Sequence, residues 1–387
     1  MTMKTNLSRR AFLSASTAAV STGLVAFPHL AIAKSKAISS TTSLFGAPPP
    51  GVAKLNANEN PYGPSPKAII AMTEAISKGA YYVGGAGENL KAMIAERHGL
   101  TKNHIILSSG SSSALTNLAM MASQKGSILG SDLFWDATSF MGTRNSEHGI
   151  KRTPKTDDLS VDLDAMYFAV DGSIALAQIC NPNNPTGSIV SPQKLQEFCK
   201  KVSQKTMVLV DEAYNEITDE PEENSMIPLI KDGYNVVVTR TFSKIYGLAG
   251  MRVGYMIAAP ETAQLISTYG HNHFYDLNQA GVAAAVASYN DTAFLSYSKS
   301  KILEAREMIA TAVAANGLTA LPSQTSFMFV NLGDINAEDF RQGMAKENVM
   351  IRGVYQDYTH WSRVSVGKLP DVEKYIAAMP KVLDSLS

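Results

Sequence analysis

Lys244 lies in the stretch Thr241-Phe-Ser-Lys244-Ile-Tyr-Gly-Leu-Ala-Gly-Met-Arg252-Val-Gly. An apolar run, Asn235-Val-Val-Val-Thr, precedes it and reads as the buried strand that delivers it. Hydroxyls at Thr241 and Ser243 flank the lysine, and Arg252 follows eight residues later. A lysine at a strand mouth, beside hydroxyls and a guanidinium, is what a Schiff-base cofactor site needs. The amine attacks an aldehyde while the hydroxyls and guanidinium hold a phosphate. Taken alone, the stretch fits a surface lysine at a strand end equally well. Val208-Leu-Val-Asp211-Glu-Ala-Tyr214 is an apolar strand closing on an acid, with a tyrosine three residues on. A carboxylate buried there would keep a pyridine nitrogen protonated, so that the ring acts as an electron sink. Its competing role is a helix N-cap. Asn181-Pro-Asn-Asn184-Pro-Thr-Gly187 follows another apolar strand at residues 174–180. Its prolines and glycine make a rigid turn, from which Asn184 can offer an amide to a ring hydroxyl.

These stretches need a scaffold that gathers strand ends. From His104 onward, short apolar runs at 105–107, 127–130, 174–179, 207–210, 235–238 and 253–257 alternate with helical patterns. That βα alternation predicts an α/β fold with three layers, helices covering both faces of a mostly parallel sheet. Ligands of such sheets bind beyond the carboxyl ends of the strands, where every stretch above falls. Gly110-Ser111-Ser112-Ser-Ala reads as a small-residue turn into a helix at 114–123. Phe134-Trp135-Asp-Ala-Thr opens another, and Ser65-Pro66 caps a third. From about Asp276 the pattern changes to long helices, including 292–315, with strand-like runs at 326–330 and 361–367, which reads as a smaller α+β domain.

In this order and spacing, the three stretches resemble the fold-type I pyridoxal-phosphate aminotransferases of class I/II. Residues 55–66, Leu-Asn-Ala-Asn-Glu-Asn-Pro-Tyr-Gly-Pro-Ser-Pro, resemble the opening of the histidinol-phosphate aminotransferase branch. The resemblance runs from about Leu55 to the C-terminus. It implies pyridoxal 5'-phosphate as cofactor, a large cofactor-binding domain at 80–275, a small domain at 276–387 joined by part of 34–79, and a homodimer. It makes Lys244 the cofactor-linking lysine, Asp211 the partner of the pyridine nitrogen, and Tyr214 with Asn184 the pair on the ring oxygen. Ser111, Ser112, Thr241, Ser243 and Arg252 would hold the phosphate at a helix N-terminus, and Trp135, or its neighbour Phe134, would stack on the ring. Tyr82 would reach across the dimer to the other copy's phosphate. Arg363 would clamp the substrate carboxylate as a bidentate fork, with Arg352 and Asn58 as further substrate contacts. The chain departs from the family pattern in two places. Only serines occupy the glycine-serine turn where an acid is common, and Val83 replaces a proline after Tyr82. The resemblance implies transfer of an amino group between an amino acid or related amine and a 2-oxo acid. A lyase or decarboxylase on the same scaffold is the competing reaction.

The chain has 387 residues, 45% hydrophobic and 18% charged, which suits a globular enzyme of about two domains. Thirty-four basic residues balance 34 acidic ones, with no basic stripe to suggest nucleic acid. Cys180 and Cys199 lack metal-ligand spacing and read as core residues. His271-Asn272-His273 reads as a substrate-pocket or surface cluster rather than a metal site. Residues 1–33 read as a twin-arginine signal peptide: Arg9-Arg10, an apolar small-residue run at 15–27, then the small-x-small pattern Ala31-Ile-Ala33. A tail anchor is the competing reading, but the run is too short and too rich in Ser and Thr for a stable membrane span. The expected location is the periplasm, reached through the twin-arginine export machinery. Since histidine synthesis is cytoplasmic, an exported member is expected to use a free amino acid as donor. The mature protein is expected to begin near Lys34; N-terminal sequencing of material from the native periplasm checks this, and cytoplasmic protein starting at Met1 or Thr2 would contradict it.

Overall fold

The computed structural model describes residues 46–269 and 274–386; the leader at 1–33 and the His271–His273 cluster lie outside them. After a short strand β1 (Ala53–Lys54), the apolar runs supply β2 (Ile105–Ser108), β3 (Ser127–Ser131), β4 (Ile150–Thr153), β5 (Ile174–Cys180), β6 (Met207–Asp211), β7 (Val236–Thr241) and β8 (Gly254–Ile257). These seven form one sheet in the order β2-β8-β7-β6-β5-β3-β4. All its pairings are parallel except the two made by β8, which runs antiparallel to β7 and to β2. The expected mostly parallel α/β sheet is therefore present. β4 went unread in the sequence because it is an edge strand whose Lys151 and Arg152 face solvent, leaving no apolar run.

Side chains alternate across each strand, so the sheet feeds two apolar layers. One face carries Ile106, Ile128, Leu176, Leu209, Val237 and Met256. They pack on α3 (Gly110–Ser123), which follows α1 (Pro66–Ile76) and α2 (Gly85–Arg97). The other carries Leu107, Ala177, Val208, Val210 and Val238 among its contacts. After α4 (Ala137–Thr143), this second face is covered by α5 (Leu163–Ala169), α6 (Pro192–Val202) and α7 (Ile227–Lys231), with α8 (Pro260–Thr268) back on the first. Burial on both faces explains why the strands read as continuous apolar runs. Local signals set the helix starts. Ser65 Oγ accepts from the Ala68 N–H at 3.1 Å ahead of Pro66, and Ser191 does the same for Lys194 ahead of Pro192.

Beyond α9 (Gln279–Tyr289) and α10 (Thr292–Ala315), β9 (Thr319–Ala320), β10 (Phe327–Asn331) and a later strand form a second, antiparallel sheet. Between them come α11 (Ala337–Lys346) and β11 (Val349–Met350); β12 (Trp361–Ser365) completes the sheet in the order β12-β10-β9, and α12 (Leu369–Leu386) ends the chain. β1 pairs in parallel with β11, Leu55 N–H donates to the Met350 carbonyl at 2.8 Å, and Ser365 N–H donates to the Leu55 carbonyl at 2.9 Å. Residues 53–58 are thereby stitched between β11 and β12, which carries Arg363. No helix among the described residues is long and apolar enough to cross a membrane.

Behind the ends of β6 and β7 lies a buried ion pair. Arg240 donates to Glu212 Oε2 from Nε at 3.0 Å and from a terminal nitrogen at 2.8 Å, and Glu212 also accepts from Ser225 Oγ and the Met226 N–H. Glu212 is fully buried, so its removal takes both of its hydrogen bonds from a buried guanidinium and leaves only Glu216, at 3.5 Å, as its ion-pair partner among the described residues. Glu212→Ala is expected to lower unfolding free energy by ~3–5 kcal/mol, read as a shift in the denaturant midpoint, with Glu212→Gln costing less.

Candidate active site

At one edge of the large sheet the chain leaves the carboxyl ends of β2, β3, β5, β6 and β7. Because β8 is reversed, its beginning lies at this same edge and brings Arg252 there. A cavity of about 470 Å³ opens at the edge, and 13 of the 14 residues singled out from the sequence line it. Tyr82 is the exception: it is 73% exposed, away from the cavity, with its ring edge-on to Tyr275 at 4.9 Å.

One end of the cavity is a cup for an anion. Helix α3 starts at Gly110, earlier than the sequence suggested, because the serines sit in a first turn whose N–H groups have no helical partner. Gly110 takes φ +74°, and a Cβ there would lie 2.1 Å from an Arg252 terminal nitrogen; a Cβ on Gly254 would lie 2.4 Å from the Ser111 nitrogen. Glycine at 110 leaves room for the guanidinium at the helix N-terminus, and glycine at 254 lets β8 pass against the backbone of that first turn. Ser111, Ser112 and Ser243 line the cup, and Thr241 Oγ1 donates to Ser243 Oγ at 2.9 Å while accepting from the Ser243 N–H. Arg252, itself at φ +53°, donates to the Ala249 carbonyl at 2.8 Å. With no acid in the turn, the cup is served by hydroxyls, backbone N–H groups, one cation and the helix dipole.

The middle of the cavity holds the titrating groups. Lys244 Nζ donates to the Asn58 carbonyl at 2.8 Å and stands over the Tyr214 ring at 5.4 Å. Burial, with help from Arg363 and Arg252, lowers its pKa to about 8 against the pull of Asp211 and Glu59. Asp211 accepts from Thr239 Oγ1 at 3.0 Å and from the Ala213 N–H; burial nonetheless raises its pKa to about 6. The Tyr214 hydroxyl accepts from Asn58 Nδ2 at 2.8 Å, and Asn58 Oδ1 accepts from Ser365 Oγ at 2.6 Å. That arrangement leaves the phenol proton of Tyr214 free to donate into the cavity, and burial keeps it in place by raising the phenol pKa. Asn184 Oδ1 accepts from an Arg363 terminal nitrogen at 3.0 Å, which orients the amide and leaves its NH2 as a donor. Trp135 lines the cavity, whereas Phe134 is buried against Gly130 with the Arg152 guanidinium over its ring. Of the two neighbours, Trp135 is the one that lines the cavity.

The far end is cationic. Arg363 is buried; besides Asn184 it donates to the Asn56 carbonyl at 3.2 Å, and its Nε has no partner. Arg352 is exposed and borders both this cavity and a neighbouring one. Sequence reading missed Tyr355 and Asn56, which also line the cavity. Tyr355 lies in an aperiodic loop, but its position between two arginines was a usable signal. Cys180 closes β5 against Asp211, with its thiol pKa pushed up by burial, and Cys199 is buried on α6; both are free thiols. Among the described residues no acid, histidine and thiol cluster could hold a metal.

An anion cup that side chains at 110 or 254 would fill, a buried amine near neutrality, a buried acid and hydroxyl and amide donors between them fit a phosphorylated pyridine aldehyde. The fold and the cavity define an enzyme of the class that runs amine chemistry on such a cofactor. The chain belongs to the Aminotransferase class I and II family, which it matches over residues 50–379. It is 33% identical over 352 residues to histidinol-phosphate aminotransferase 1 of Cupriavidus pinatubonensis, spanning 90% of this chain and 93% of that protein. It is 34% identical to histidinol-phosphate aminotransferase 1 of Dechloromonas aromatica, spanning 90% and 94%. The fold is similar to histidinol-phosphate aminotransferase from Sinorhizobium meliloti solved with pyridoxal-5'-phosphate, at a TM-score of 0.78 and 27% identity, covering 90% of this chain and 95% of that one. The chain is a pyridoxal-phosphate-dependent transaminase.

Only a neutral amine attacks an aldehyde. Covalent capture of pyridoxal phosphate by the cofactor-free protein is therefore expected to accelerate as pH rises through about 8, well below the ordinary lysine value of 10.5. Stopped-flow absorbance across pH 6–10 checks this; a rate still climbing only above pH 10 would contradict it.

Proposed function

We propose that this transaminase moves the amino group of a free α-amino acid to a 2-oxo acid, with Lys244 as the proton-transfer group. The observation that carries the reading is the Lys244 amine, buried in the cavity at 2.8 Å from the Asn58 carbonyl with a pKa lowered to about 8. A base poised there can take a proton from Cα and return it near neutral pH. The bound cofactor supplies the electron sink for that step. Asp211, ionised above about pH 6, holds the ring nitrogen protonated. Tyr214 and Asn184 donate to the ring oxygen, and Trp135 covers a ring face. Ser111, Ser112, Thr241, Ser243 and Arg252 hold the phosphate. Arg363, with its unpartnered Nε, takes the α-carboxylate, and Arg352 and Asn58 border the rest of the substrate.

The same proposal covers assembly and location. The protein acts as a homodimer, in which exposed Tyr82 of one copy completes the phosphate cup of the other. Exposed Tyr81 and Tyr275, beside Tyr82, support an apolar interface on that side. The enzyme is exported to the periplasm by the twin-arginine route; Arg9-Arg10 and Ala31-Ile-Ala33 support this.

Amino transfer to 2-oxoglutarate, followed as glutamate formed from a panel of amino acids, tests the reaction. Lys244→Ala is expected to retain noncovalent cofactor and lose nearly all turnover. Asp211→Asn is expected to slow Cα proton removal ~10²–10³-fold, the loss of ~3–4 kcal/mol of stabilisation. Release of carbon dioxide or a cleaved side chain without glutamate would replace transamination by decarboxylation or lyase chemistry.

A further inference from the structure

Arg363 and Arg352 carry like charges to the same end of the cavity, and no carboxylate among the described residues reaches ion-pair distance of either one. The ion pairs made by Arg152, Arg240 and Arg341 show the usual alternative. One aromatic ring serves both instead. The Arg363 guanidinium carbon lies 5.3 Å from the centroid of Tyr355, and that of Arg352 lies 5.4 Å from it. Arg363 also lies 5.3 Å from the Phe327 ring, whereas Tyr355 is the ring common to both.

The Tyr355 ring is itself fixed. It meets Phe329 edge-on at 6.1 Å, and Phe329 in turn stacks on Trp361 at 5.0 Å. Its loop is pinned at the other side, where the Tyr358 hydroxyl donates to Asp132 Oδ2 at 2.8 Å. A ring face attracts a cation without neutralising it or occupying its donors in the ring plane. A carboxylate in the same place would take the donors that a substrate needs.

We propose that Tyr355 is a positioning residue for substrate carboxylates, its ring holding Arg363 and Arg352 as a pair of unneutralised donors facing the cavity. The inference rests on the carboxylate-binding reading of Arg363 given above. A merely structural role for Tyr355 would change stability or cofactor binding. A positioning role changes carboxylate affinity, leaves the step at Cα alone, and is met by any six-membered aromatic ring.

The test uses the cofactor-loaded enzyme and succinate, a dicarboxylate with neither amine nor keto group, titrated by calorimetry alongside steady-state kinetics with 2-oxoglutarate. Tyr355→Leu is expected to weaken succinate binding and raise KM ~5–30-fold, with kcat and the visible absorbance of the cofactor unchanged. Tyr355→Phe is expected to stay within ~2-fold of wild type, since it keeps the ring face shared by both arginines and loses only the hydroxyl contact with Arg352. Should Tyr355→Leu fold poorly, Tyr355→Gln is read in the same way. Unchanged succinate affinity in both ring-free variants overturns the inference, as does a Tyr355→Phe variant as weak as Tyr355→Leu. If succinate binding depends on Arg363, by Arg363→Gln, but ignores Tyr355, only the role of Tyr355 falls. If it ignores Arg363 as well, the carboxylate reading falls with it.

Discussion

A lysine amine shut away from water between two guanidiniums cannot hold its proton as an exposed amine does. Burial and the charges of Arg363 and Arg252 pull Lys244 toward neutrality, and Asp211 and Glu59 oppose them incompletely. The rest of the site depends on that balance. Were Asp211 closer or Arg363 absent, the pKa would move back toward the ordinary lysine value and a smaller share of the amine would be neutral and nucleophilic near pH 8. Arg363 therefore acts on the amine from across the cavity. On the carboxylate-binding role proposed for Arg363, a bound carboxylate would relax one of the forces on Lys244 and so link substrate arrival to its protonation state.

Asparagines transmit this arrangement through the site. Asn58 accepts from Ser365, donates to Tyr214 and offers its backbone carbonyl to Lys244. The Asn184 side chain takes one Arg363 nitrogen and the Asn56 main-chain carbonyl another. A side-chain amide has one accepting and one donating end, so each bond made at one end fixes what the other can do. The residues of 53–58 can do this because they are stitched to β11 and β12 by backbone hydrogen bonds. A site drawn from both sheets is thus held by main-chain pairing near its centre, not by long side chains alone.

Much of the site was legible in the sequence because strands buried on both faces announce themselves as apolar runs, and their ends are where chemistry collects. Lys244, Asp211 and Asn184 each follow such a run, and all three reach the same cavity. Trp135 against Phe134 needed the backbone, since two adjacent aromatic residues carry the same signal until one is seen to pack on Gly130. Tyr355 and Asn56 went unread because they sit in irregular segments with no period: Asn56 meets Arg363, 307 residues on, and Tyr355 is set by Phe329 and the two arginines that flank it. β4 was missed for the opposite reason: an exposed edge strand has little apolar pattern to read.

The reversal of β8 has a consequence for how the cavity keeps its dimensions. Lys244 leaves the end of β7 and Arg252 enters the start of β8, so one short excursion of chain carries both the amine and the guanidinium at the helix N-terminus, with neighbouring strands clamping its two ends. That excursion is a ruler with two fixed marks. Breathing of the distant helices can widen or narrow the entrance, but the interval between amine and guanidinium is written into a single stretch of backbone. The grip on one end of a bound molecule and the reach to its other end stay in register however the surroundings flex.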